Sequence, residues 1–84
     1  MRTLRQMGLT LTDAKRRILS YLDEEPAHGY ILAKKLSVQG STMYEHLQEL
    51  EEAGYVESSE DGRRKVYGLT QKGQLILEAE QLDE

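Results

Sequence analysis

Three cations stand side by side at Arg63, Arg64 and Lys65, directly after Glu60-Asp61-Gly62, in a chain of 84 residues whose formal net charge is -4. Guanidinium and ammonium groups crowded beside a turn dipeptide are suited to holding a polyanion, because each phosphate they neutralise releases counterions. The placement runs against its surroundings. Residues 1–35 carry seven Lys/Arg against four Asp/Glu, whereas the remainder carries four against eleven, and three of those four are the run at 63–65. A second group with recognition chemistry is Ser41, Thr42, Tyr44, Glu45, His46 and Gln48. Glutamine can bridge the two major-groove groups of adenine, glutamate can accept from the amine of cytosine, and threonine can meet either. Lys34 and Lys35, with Lys15, Arg16 and Arg17, could reinforce the positive side.

Other chemistries find little to work with. There is no cysteine, and His28 and His46 lack metal-ligand spacing, so neither metal nor cofactor is expected. Nothing resembles an activated nucleophile, and a chain this short offers little concavity for a substrate, so no enzyme activity is expected. The glycines have turn and cap duties and form no phosphate-cradling loop. No apolar run approaches the roughly 18 residues that span a bilayer, and the start lacks the apolar core of a secretory signal. A cytoplasmic protein without membrane association is therefore expected. The carboxylate excess suits a salt-rich cytoplasm as well as an ordinary one, and composition leaves both open.

The elements that must position the cations and the polar row follow from periodicity. Thr12 caps a helix over about 13–23, whose apolar face is Ala14, Ile18, Leu19 and Leu22. Pro26 ends it. His28–Leu36 reads as a short second helix with Ile31, Leu32 and Leu36 inside, closed by the link Ser37-Val38-Gln39-Gly40. A third helix begins near Ser41-Thr42, where Thr42 and Glu45 match the reciprocal capping pattern, and Met43, Leu47 and Leu50 supply its buried stripe up to Gly54. The period then changes to that of two strands around Asp61-Gly62, a dipeptide that favours a tight hairpin. Closing on it pairs Glu60 with Arg63 and Val56 with Tyr67. Thr70 caps a last helix with an apolar stripe of Leu75, Ile76, Ala79 and Leu82.

The order helix-helix-helix-strand-strand-helix is that of a winged helix-turn-helix, mainly α with a small β-hairpin, in the α+β class. One domain spans residues 1–84: an arm at 1–11, a core at 12–70, and a C-terminal helix at 71–84 that could serve a dimer. In this arrangement the helix at 41–53 reads base edges in the major groove and the wing at 60–65 meets backbone or minor groove. The expected partner is double-stranded DNA.

The sequence resembles the PadR-type winged-helix transcriptional regulators. The likeness is carried by HGYILAKKL, by STMYEHLQELEEAGYVES, by the wing EDGRRKVYGLT and by the QKG that follows, over about residues 12–80. The resemblance implies regulation of transcription, with repression foremost, by a homodimer on a palindromic operator. It also implies DNA contacts at Ser41, Thr42, Tyr44, His46, Arg63, Arg64 and Lys65. Larger members have a longer C-terminal helical region, so effector sensing there does not carry over.

Two features bear on partners. Leu4, Met7, Leu9 and Leu11 before the first helix have no assigned partner within the domain, and with Leu75, Ile76, Ala79 and Leu82 in the last helix they suggest an apolar seam between two copies. Residues 41–53 hold four glutamates and no cation. That acidity supports the alternative of a protein-protein interaction module without DNA binding, since the same fold serves both ends.

Overall fold

The computed structural model describes residues 11–82, with the backbone alone at Leu82. Helix α1 runs Asp13–Glu24, strand β1 Ala27–His28, helix α2 Gly29–Leu36 and helix α3 Gly40–Glu52. Strands β2 (Val56–Asp61) and β3 (Arg64–Leu69) follow, and helix α4 spans Gln71–Leu82. The short β1 had no signature in the sequence. Two residues show no alternation, and only pairing with β3 defines them, giving a three-stranded antiparallel sheet in the order β1-β3-β2.

Each helix starts and stops for a local reason. The Thr12 hydroxyl accepts from the Lys15 N–H at 3.3 Å, as expected of a cap. At the end of α3, Gly54 takes φ +84°, and the N–H groups of Gly54 and Tyr55 donate to Glu51 and Leu50, the paired bonds of a Schellman close. The end of α2 repeats that motif without glycine, with Ser37 at φ 58°, and Val38 donates to the Ala33 carbonyl at 3.0 Å. Gly40 is already the first residue of α3. A left-handed serine costs about 1 kcal/mol; the two closing bonds and the packing of Val38 on the core offset it.

The capping pattern expected at Thr42 and Glu45 does not form. The N-cap falls three residues earlier, at Gln39, which makes no side-chain hydrogen bond, and Thr42 lies inside the first turn. The stripe Met43, Leu47 and Leu50 is buried as expected, and it lies wholly C-terminal to the shifted start.

The hairpin register also differs from the expected one. Val56 pairs with Leu69, Ser58 with Tyr67 and Asp61 with Arg64, leaving Gly62 and Arg63 as the two-residue loop. Only Gly62 takes a positive φ, +67°, the pattern of a turn with glycine in the first central position. An Asp-Gly turn of the expected type would have needed left-handed backbone at Asp61 as well. The slip is by two residues, and side chains alternate with period two. Val56 and Tyr67 therefore stay on one face, and both are buried.

That face completes a core made of Ile18, Leu19 and Leu22 from α1, Leu32 from α2, Met43, Leu47 and Leu50 from α3, and Ile76 and Leu77 from α4. Each large side chain of this kind contributes about 1.5–3 kcal/mol when fully buried. Thr70 fastens α4, its hydroxyl donating to the Gly54 carbonyl at 2.6 Å and accepting from the Gly73 N–H at 3.0 Å. Gly73 is required by contact, since a β-carbon there would overlap the Tyr55 carbonyl. Ile76, expected at a seam between copies, instead lies inside its own domain at 6% exposure; its place on the outside is taken by Leu75, at 59%. The expected apolar stripe treated positions 75 and 76 as one face, but the helix turns between them. Ala79 is partly exposed. Leu11, expected at the same seam with no partner in the domain, is instead buried in the domain's own core at 9% exposure. Leu4, Met7 and Leu9 lie outside the described residues, as does the side chain of Leu82.

Candidate nucleic-acid interface

The site is the groove between α3 and the wing. The strand pairing that closes at Asp61 and Arg64 projects the Gly62-Arg63 tip away from the core, and Arg63, Arg64 and Lys65 are all exposed. Alternation sends Lys65 to the face that carries Tyr67 and sends Arg64 to the opposite one. The groove, about 380 Å³, is lined by Tyr44 of α3, Tyr30 at the start of α2, the three wing cations and Tyr67 beneath them. Helix and wing thus address one side of the molecule. Burial pushes the Tyr67 phenol above its usual pKa, with the nearby carboxylate of Glu51 and the Tyr44 hydroxyl adding to the effect.

The first turns of α3 present Ser41, Tyr44, Glu45 and Gln48 to solvent, while Thr42 and His46 are half-buried on the flank of the same helix. No side chain caps this helix, so the N–H groups of its first turn have no side-chain partner at its N-cap, an end where the helix dipole favours an anion. The four glutamates divide. Glu49 is ion-paired with Lys15 of α1, and the Lys15 ammonium holds its carboxyl below the usual range. Glu51 accepts from the Ser58 hydroxyl at 2.9 Å, and Glu52 lies 3.5 Å from the Gln48 amide. Glu45, released from capping, stands exposed beside Ser41, Tyr44 and Gln48.

Several cations are spent elsewhere. Arg16 reaches Asp13 at 3.3 Å and Glu80 at 3.6 Å, and Arg17 donates to the Leu36 carbonyl at 3.2 Å. Together with the Lys15–Glu49 pair these bonds tie α1 to its neighbours, so the three residues are not gathered at the groove. Lys34 and Lys35 are exposed in the last turn of α2, where they complement the helix dipole, and they do not line the groove.

Sequence reasoning did not single out Tyr30. It is 42% exposed, its hydroxyl accepts from Arg64 Nη1 at 2.9 Å, and the Arg64 guanidinium carbon sits 4.8 Å from the ring centroid. His28 stands beside it with the ring centroids 5.9 Å apart, and its Nε2 lies 3.2 Å from the Asp61 carboxylate. The available signal was slight: Tyr30 falls off the stripe of Leu32 and Leu36, but nothing local indicates a partner 34 residues away. Among the described residues no group of three or more His, Asp or Glu could hold a metal ion, and no helix is long and apolar enough to cross a membrane.

This architecture recurs in known regulators. The transcriptional regulator BldR from Sulfolobus solfataricus superposes with a TM-score of 0.80 at 29% identity, covering 90% of this chain and 58% of that one. Wild-type ZitR from Lactococcus lactis, solved in complex with DNA, superposes with a TM-score of 0.77 at 26% identity, covering 84% of this chain and 51% of its own. An uncharacterized HTH-type transcriptional regulator from Methanocaldococcus jannaschii is 38% identical over 55 residues, which make up 66% of this chain but 14% of that protein. The chain therefore spans a small part of one relative and just over half of the others. Residues 18–79, from the middle of α1 into the last turns of α4, match the family described as transcriptional regulator PadR-like. The chain is a winged-helix protein that belongs to the PadR-like family of transcriptional regulators.

Proposed function

We propose that this protein is a sequence-specific regulator of transcription that binds double-stranded DNA, acting as a cytoplasmic repressor and as a homodimer. The observation that carries the reading is the common groove: Tyr44 on α3 and the cations at 63–65 line the same concavity. A duplex laid there meets the amino end of α3 with its major groove and the wing with the adjacent backbone or minor groove. Ser41, Thr42, Glu45, His46 and Gln48 are the base-reading set, with Tyr44 and the uncapped first turn of α3 set against phosphate. Arg63 and Lys65 supply the salt-dependent attraction, and Lys34 and Lys35 add to the long-range field. The 26% identical ZitR structure, which contains DNA, supports the same use of the fold. Leu75, exposed on α4, supports pairing of two copies, which would match a two-fold operator.

The test is selection of bound sequences from random duplexes at two salt concentrations. A consensus that persists at the higher salt, read by a particle of twice the chain mass, is expected. Recovery of random sequence alone would overturn specific DNA recognition. A second reading, a protein-docking module, draws on the exposed row Glu45, Glu49 and Glu52 on α3. It predicts no duplex binding at any salt concentration.

A further inference from the structure

The start of α2 is tied to the wing by two contacts that the reading above leaves unused. Strand β1 pairs Ala27 with Tyr67 and His28 with Val66. Continued two residues further, that register brings Tyr30 opposite Arg64, and there the strand gives way to the first turn of α2. Tyr30 thus crosses from strand register into a helix while its ring lies under the Arg64 guanidinium and its hydroxyl accepts the 2.9 Å bond. Across the same face of the sheet, over β3, His28 Nε2 meets Asp61 Oδ2 at 3.2 Å. Asp61 and Arg64 are the last directly paired residues before the Gly62-Arg63 loop. Both ends of the wing tip are therefore held by residues 28 and 30, at the start of α2.

We propose that Tyr30 and His28 are positioning residues that set the aim of the wing, and that Arg64 acts through Tyr30 and is not itself a phosphate ligand. A two-stranded ribbon projecting past the core has no packing of its own at the tip, and isolated hairpins are marginal in water. An aromatic ring and a hydrogen bond on one strand, with a carboxylate contact on the other, restrict its swing relative to α3. Since α2 and α3 are joined through only Ser37-Val38-Gln39, the helix that reads bases and the wing that holds the backbone share one reference frame. The chemical roles separate accordingly: Arg63 in the loop and Lys65 on the α3 side remain to meet DNA, while Arg64 is already engaged by the protein.

This inference rests on the DNA-binding reading, and its test is arranged so that the two can fail separately. Tyr30→Leu, Tyr30→Phe, Arg64→Ala and the double variant Tyr30→Leu/Arg64→Ala are compared with the unaltered chain. Hydrogen exchange at the backbone amides of 62–64 is followed in the free protein, and affinity for a selected duplex is followed across a salt series. Tyr30 is partly exposed, so these variants are expected to fold, and thermal melting checks that they do. Exchange at the tip should quicken about fivefold in Tyr30→Leu and in Arg64→Ala, in keeping with loss of an exposed cation–π contact and one hydrogen bond. Tyr30→Phe, which keeps the ring, should fall between. Affinity should drop by a similar factor with an unchanged salt slope, and the double variant should be no worse than either single one. A salt slope reduced by about 0.9 in Arg64→Ala, with exchange and affinity untouched in Tyr30→Leu, would make Arg64 a phosphate ligand and overturn the proposal. If the unaltered chain binds no duplex, the functional reading fails, while exchange in the free protein still decides whether Tyr30 restrains the wing.

Discussion

The Tyr44 ring lies across the bare α-carbon of Gly29: a β-carbon at position 29 would come within 2.6 Å of Tyr44 Cε1 and 2.8 Å of its hydroxyl oxygen. Glycine in the first turn of α2 is what lets the side chain of α3 lie flat along the groove. Gly29→Ala should therefore displace the ring. The atoms it would meet are the far end of a half-exposed side chain, which can swing aside, and alanine favours the helix by up to about 1 kcal/mol. Thermal stability should stay within about 4 °C of the parent while duplex affinity falls. Calorimetry and a binding titration on one sample check both.

Gly73 presents the opposite case. The group its β-carbon would overlap is the backbone carbonyl of Tyr55, which also accepts the Thr70 N–H at 3.1 Å and cannot turn away. Gly73→Ala should destabilise the domain by about 2 kcal/mol or more despite better helix propensity, because α4 must lift from the core. Urea unfolding read by circular dichroism gives the midpoint shift, and an unchanged midpoint would show that α4 docks differently.

Removing the Thr70 hydroxyl should be nearly as costly. That one oxygen serves the Gly54 carbonyl and the Gly73 N–H, so Thr70→Val leaves a partly buried carbonyl and a helix N-terminus unpartnered together. A loss of about 1–2 kcal/mol is expected, with the same fold by nuclear magnetic resonance.

For the wing, the discriminating change is Arg63→Ala. Arg63 sits in the loop itself and is exposed. On the DNA-binding reading, affinity should fall for all duplexes alike, and the slope of log K against log salt should flatten by about 0.9, one phosphate contact. Sequence preference should be retained.

Acid should loosen the contact between α1 and α3. The Lys15 ammonium lowers the Glu49 pKa, so this pair stabilises the folded chain at pH values above the unfolded glutamate pKa of about 4.3. That contribution is lost as pH falls through the lower, folded pKa. Lys15→Met should therefore be less stable than the parent at pH 7 and equal to it once both are fully protonated. Denaturant midpoints measured from pH 7 to 2 give the difference curve, and a gap of unchanged size across that range would assign the effect to packing of the lysine stem.

Much of this protein was determined by local patterning alone. The apolar positions of α1, the stripe Met43-Leu47-Leu50, the caps at Thr12 and Thr70 and the left-handed Gly54 are each dictated by side chains within a few residues of one another, and periodicity expresses such relations directly. The wing cations and the polar row at 41–48 were legible as chemistry for the same reason. Tertiary structure decided what depends on distant partners. Strand β1 exists because β3 lies beside it, and the register of β2 with β3 follows from burying Val56 against Leu69 with only Gly62 needing a positive φ. Helix α3 starts at Gly40 in place of the capping box that the local pattern at Thr42 and Glu45 offered. Packing also turned Ile76 inward and Leu75 outward, engaged Lys15, Arg16 and Arg17 with α1's own neighbours, and set Tyr30 under Arg64. Such contacts join residues tens of positions apart, and a linear pattern carries no measure of which of many compatible pairs the folded chain will bring together.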